Sequence, residues 1–110
     1  MEKSRVNSKY LPNAELPEGV QVTADLKDAV SGKSMVVLAV TSQSVRQVSS
    51  DIKPWLAKDA IVVNVAKGLE LGTNLRLSQV VEEVLPDNPF VALCGPSHAE
   101  EVSIGMPTGL

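Results

Sequence analysis

Two stretches decide the fold: Val62-Val63-Asn64-Val65-Ala66-Lys67-Gly68, and Phe90-Val91-Ala92-Leu93-Cys94-Gly95-Pro96-Ser97-His98-Ala99-Glu100-Glu101. Each begins as an apolar run and ends in small and polar residues. Strands of an open α/β sheet present groups to a ligand in this way, at their carboxyl ends. Working outward, Met35 to Val40 is a third apolar run. Between the runs, Val45, Val48 and Ile52 recur at helical spacing ahead of Pro54. Leu75, Leu77, Val80, Val81, Val84 and Leu85 do the same ahead of Pro86, which cannot continue a helix. Strand, helix, strand, helix, strand at this spacing predicts a parallel sheet of Met35–Val40, Ile61–Val65 and Phe90–Leu93, all three buried, joined by right-handed crossovers.

The flanks read less sharply. Met1 to Val6 is charged and resembles the tail of a helix begun upstream. Ser8 to Gly19, with two prolines, reads as an ordered loop, and Val20 to Thr23 as a short edge strand. Thr23 or Asp25 caps a helix through Val30 with the face Leu26, Ala29 and Val30, closed by Gly32. Thr41, Ser42 or Ser44 caps the next helix, Trp55 and Leu56 cover the sheet edge, and Pro96 or Ser97 opens the last helix.

Composition narrows the function. The chain has 110 residues, enough for one small domain, with 44% hydrophobic and only 3% aromatic residues. Its core must therefore be aliphatic, as in parallel sheets. Net charge is −3, and the 10 Lys and Arg residues are scattered. No basic stripe or aromatic platform serves a nucleic acid, so none is expected as a partner. Cys94 is the only cysteine and His98 the only histidine, which argues against a disulfide or a metal site. No apolar leader follows Met1, and Met35–Val40 is too short for a membrane span. The expected compartment is the cytoplasm.

Several residues carry two readings. Lys67 is either a solvated loop lysine or a fixed cation at a ligand crevice. Gly95-Pro96-Ser97 is either a turn with a helix cap or an anion-binding segment at a fresh helix N-terminus. Ser97 and His98 are sequence neighbours, which does not make a nucleophile–base pair, and no Gly-x-Ser-x-Gly elbow is present. Cys94 reads as a small buried core residue, His98 as a surface residue. Glu100 and Glu101 complement a helix dipole.

These segments, with Lys9-Tyr10-Leu11-Pro12 and Leu38-Ala39-Val40-Thr41-Ser42-Gln43, closely resemble the bacterial NAD(P)-dependent glycerol-3-phosphate dehydrogenases. Ala66-Lys67-Gly68-Leu69-Glu70 resembles the family's lysine-glycine motif, and Gly95 to Val102 with Pro107-Thr108 its Gly-Pro-Ser segment. The resemblance implies that Lys67 contacts both substrate and cofactor, that Gly95 and Ser97 contact substrate, and that Ala99 and Tyr10 approach the cofactor. It implies NAD or NADP as cofactor, and dihydroxyacetone phosphate and sn-glycerol 3-phosphate as the pair interconverted by hydride transfer, supplying glycerophospholipid synthesis.

The chain departs from the family pattern at both ends. It has no Gly-x-Gly-x-x-Gly, and Leu110 precedes the helical domain that carries the family's proton-transferring lysine. The expectation is a fragment: a partial NAD(P)-binding domain over residues 1–110. Its fold is an incomplete Rossmann-like, doubly wound parallel sheet lacking its first βαβ unit. It holds no catalytic residue of its own and is expected to be inactive alone. Met35–Val40 would then be an open apolar edge, which leaves a homo-oligomer open. The alternatives are a non-catalytic remnant that binds an anion or partner, or a dehydrogenase of the phosphogluconate or hydroxyacid type.

Overall fold

The computed structural model describes residues 5–109; of the helix tail expected over Met1–Val6, residues 1–4 lie outside them, and the rest is not helical, since Arg5 has φ 53° and Val6 belongs to a strand. Two compact units divide the chain, Met1–Ala24 with Gly95–Leu110 as one and Asp25–Cys94 as the other.

In the first unit, β1 (Val6–Asn7) pairs antiparallel with β2 (Leu11–Glu15). The expected loop over Ser8–Gly19 therefore contains a strand. Pro12 is tolerated because it lies where the register shifts, between the pairings Asn7–Leu11 and Val6–Glu15, and interrupts neither. The expected strand at Val20–Thr23 does not form. Arg5 accounts for this: its guanidinium donates to the carbonyls of Leu16 (3.1 Å), Pro17 and Val20 (3.0 Å), and the Val20 N–H turns back to Pro17. Val20 is thus committed to a turn, and no described strand pairs with the residues after it.

The second unit opens with α1 (Leu26–Val30). Asp25, not Thr23, is its cap, accepting from the N–H groups of Lys27 (2.8 Å) and Asp28 (3.2 Å). Then come β3 (Met35–Leu38), a 3₁₀ turn at Ser42–Ser44, α2 (Val45–Ile52), β4 (Ile61–Asn64), α3 (Leu77–Val84) and β5 (Phe90–Ala92). The strands are parallel in the order β3-β4-β5, with Met35 opposite Ile61 and Val62 opposite Phe90. This is the expected α/β sheet, with strands one or two residues shorter than the apolar runs. α2 ends just before Pro54 and α3 just before Pro86, as proline dictates. The Asn88 side-chain amide gathers the carbonyls of Ala57, Lys58 and Ala60 and shapes the turn into β4.

The core lies between one sheet face and the helices. Val45 and Ile52 from α2, Val80 and Val81 from α3 and Val62 from β4 are buried, with Val30, Leu38, Leu77 and Leu85 around them. Burying each such side chain is worth about 1.5–3 kcal/mol. The other face is not covered: Met35 is 54% exposed, Val37 53% and Val91 44%. Only the middle strand is buried as expected, because β3 and β5 are both edges with one packed face. α1 buries Val30 alone of its expected face. Trp55 is exposed and sits under the Lys27 ammonium, 5.0 Å from the ring centre, while Leu56 does pack on the core.

Candidate functional site

The exit of β4 is built by its last residue. Asn64 is buried, at 4% exposure, and a buried amide must be hydrogen-bonded at both ends. Its Nδ2 donates to the Ala66 carbonyl (3.0 Å), and its Oδ1 accepts from the Ala66 N–H (3.3 Å). The chain turns there and presents Lys67, which is exposed. Gly68 follows at φ +115°, a conformation open to glycine and strained for any other residue, with Ser42 packed against it.

Beyond Gly68 the chain makes a tight, self-bonded loop. Leu69 bridges Arg76, the Glu70 N–H donates to Leu75 (3.0 Å), and the Asn74 N–H donates to Glu70 (3.0 Å). Gln43, in the 3₁₀ turn, and Arg46, in the first turn of α2, fasten this loop. Gln43 Nε2 donates to the Leu69 carbonyl (2.9 Å) and its Oε1 accepts from the Leu71 N–H (2.8 Å). The Arg46 fork meets both carboxylate oxygens of Glu70 (2.7 and 2.9 Å) and also reaches Glu83 on α3 (2.8 Å). Hydrogen bonds from Arg46 and then from the Thr73 hydroxyl (2.6 Å) pull the Glu70 carboxyl down to about 2. Its carboxylates in turn hold the Arg46 guanidinium above its ordinary value.

A cavity of about 460 Å³ opens at these carboxyl ends, lined by Asn64, Lys67, Gly68, Arg76, Ser78, Ala92 and Cys94 among others. Two cations and a hydroxyl on a partly apolar wall suit an anionic small molecule. Cys94 is exposed, which corrects the expectation of a core thiol: β5 is an edge strand and the residue lies past its end.

The second exit differs from expectation in detail. The last helix, α4, is Ala99–Ser103, with His98 rather than Pro96 or Ser97 at its cap. The Ser97 N–H already donates to the Gly95 carbonyl (2.8 Å), so this turn satisfies that donor within itself. Gly95, Ser97, Ala99 and Tyr10 all belong to the first compact unit, whereas Lys67 belongs to the sheet unit. Tyr10 is 67% exposed, with the Lys9 ammonium 4.8 Å from its ring centre. It lines a shallow cavity of about 200 Å³ with Pro12, Glu100, Ser103 and Ile104, next along α4 from Ala99.

Asn64, Gln43, Arg46, Glu70 and Arg76 all shape or line the first exit and were not singled out from sequence. An amide closing an apolar strand was the available signal for Asn64. The others join residues far apart in the chain, which no local pattern shows. Among the described residues no cluster of three His, Cys, Asp or Glu gathers, and no helix is long and apolar enough to cross a membrane.

A parallel α/β sheet with a lysine-glycine turn and a cavity at its carboxyl ends belongs to the class of open-sheet nucleotide-dependent domains. Over residues 1–110 the sequence matches the NAD-dependent glycerol-3-phosphate dehydrogenase N-terminus, and the chain is a member of that family. It is 49% identical over 107 residues to the glycerol-3-phosphate dehydrogenase (NAD(P)+) of Clostridium perfringens, covering 97% of this chain and 32% of that protein. With the enzyme of the same name from Desulfitobacterium hafniense it shares 50% over 108 residues, covering 98% and 30%. The crystal structure of glycerol-3-phosphate dehydrogenase from Coxiella burnetii superposes with a TM-score of 0.88 at 32% identity, covering 98% of this chain and 33% of that one. The chain thus spans about a third of the length of the curated relatives it matches.

Proposed function

We propose that this chain is part of the NAD(P)-binding domain of an oxidoreductase that interconverts dihydroxyacetone phosphate and sn-glycerol 3-phosphate. The carrying observation is the family match over residues 1–110, together with Lys67 in the cavity at the sheet's carboxyl ends. In this reading Lys67, Gly95 and Ser97 bind substrate, and Lys67, Ala99 and Tyr10 approach the cofactor. Lys67 supports the cofactor fit best, being an exposed cation at the ligand end of the sheet. When bound, NAD(P)H supplies the hydride. Lys67 donates a charge-assisted hydrogen bond that orients the substrate and stabilises negative charge on its reacting oxygen. The proton-transferring lysine and the glycine-rich pyrophosphate cradle come from parts of the enzyme other than residues 1–110. In this reading the product feeds glycerophospholipid synthesis in the cytoplasm.

The test is Lys67→Ala in an enzyme of full family length carrying this segment, assayed with NADH and dihydroxyacetone phosphate. Loss of one charge-assisted contact, about 1.5–3 kcal/mol, lowers kcat/KM about ten- to hundredfold. The 110-residue chain alone is expected to show no turnover in the same assay. Unchanged kcat/KM in Lys67→Ala would return Lys67 to the role of a solvated loop residue. Weak nucleotide binding without hydride transfer at full length would favour the non-catalytic remnant.

A further inference from the structure

We propose that Gln43 is a positioning residue for Lys67, seconded by the Arg46–Glu70 pair; the inference rests on the reading of Lys67 as a ligand contact. A single side-chain amide satisfies both the Leu69 carbonyl and the Leu71 N–H, 26 and 28 residues away in the chain. That is the pair of bonds a neighbouring β-strand would offer, made here by one residue of the 3₁₀ turn just ahead of α2. On the near side, Asn64 fastens Ala66 through both ends of its own amide. Lys67 and Gly68 are the two residues between these fastened points.

The placement of that short link matters because a lysine ammonium rides on a stem with four rotatable bonds. A backbone that moves multiplies the positions its tip can reach, and binding or catalysis draws only on the competent fraction. Gly68 adds to the need: a residue at φ +115° has no side chain of its own to hold it. Gln43 Nε2 also lies 3.0 Å from the Ser42 Oγ, and Ser42 is the side chain against Gly68. One amide therefore engages both the loop and the hydroxyl packed on the turn. Arg46 supplies a second, planar two-point contact to Glu70. The functional consequence is that the 3₁₀ turn at Ser42–Ser44 and the first turn of α2, which the Lys67 reading leaves as plain scaffold, set where the cation points.

A double-mutant cycle in the full-length enzyme, with NADH and dihydroxyacetone phosphate, tests this. Gln43→Ala is expected to lower kcat/KM about three- to tenfold, the worth of a clasp of ordinary hydrogen bonds. Gln43→Glu, which keeps the acceptor for Leu71 but sets a carboxylate oxygen against the Leu69 carbonyl, is expected to lose at least as much. In a Lys67→Ala background Gln43→Ala should change kcat/KM by less than about twofold, because a residue that acts through Lys67 has nothing left to position. Additive losses, or a Gln43→Ala enzyme as active as the parent, overturn the proposal while leaving Lys67 in its role. A silent Lys67→Ala instead removes the reading of Lys67 and the positioning role with it. Should Gln43→Ala not fold, Gln43→Glu takes its place in the cycle, and additive losses there overturn the proposal in the same way.

Discussion

The two faces of the β3-β4-β5 sheet are made of the same amino acids and have opposite surroundings. Val36, Leu38, Val62 and Phe90 look toward α2 and α3 and join the core, while Met35, Val37 and Val91, their alternating neighbours, stand in the open. The middle strand escapes the difference, since Val63 is buried even on the open side, shielded by a strand to its left and right. The contrast teaches that an apolar run specifies a strand but not how many of its faces are packed. Covering is a property of the neighbours.

The largest expected effect separates the two faces directly. Ile52→Ala, under the covered face, is expected to destabilise the chain by about 2–5 kcal/mol, through lost transfer free energy and the cavity left behind. Val37→Thr on the open face should stay within about 0.5 kcal/mol. Urea unfolding of both variants measures the pair; comparable losses would mean that the open face is packed in solution. Next in size is Ser49→Ala. Ser49 is fully buried on the helix side, and among the described residues its hydroxyl has no hydrogen-bond partner. Removing it should be neutral or stabilise by up to about 1 kcal/mol. A clear destabilisation would reveal a partner for the hydroxyl and a wetter core than the packing implies.

The smallest effect at neutral pH concerns the clasp on the covered side. The Glu70 carboxyl is lowered from 4.5 to about 2, so its contribution is fully present above 4.5 and is lost as pH falls toward about 2. The stability difference between the parent chain and Glu70→Gln should therefore shrink across that window and be flat above it. A difference independent of pH from 5 to 2 would show that the Arg46 fork does not hold Glu70 in solution.

Much of this architecture was legible from residues close together in the chain. The three parallel strands, the stops before Pro54 and Pro86 and the Asp25 cap follow from periodicity, proline chemistry and local hydrogen bonding. What failed was set at a distance. Val20–Thr23 has strand-like residues, but Arg5 draws the Val20 carbonyl into a turn and no described strand pairs with the rest. Cys94 and Val91 looked interior because the run containing them is apolar, yet that run lies at an edge. At the site, Lys67 could be picked out beside its glycine, whereas Gln43, Arg46 and Glu70 acquire meaning only when the fold brings the 3₁₀ turn and α2 to the loop.

The strand pairing also has a consequence in time. Every bond in this sheet waits on a residue that lies a whole helix further along, since β3 pairs with β4 and β4 with β5. Such distant closures make folding slow relative to locally wired helical chains. On a ribosome, Met35 to Leu38 is made before Ile61 to Asn64, the strand that zips to it here, and it passes through that interval without this partner. The order of synthesis thus leaves the apolar residues of β3 waiting for β4 while the chain is still being made.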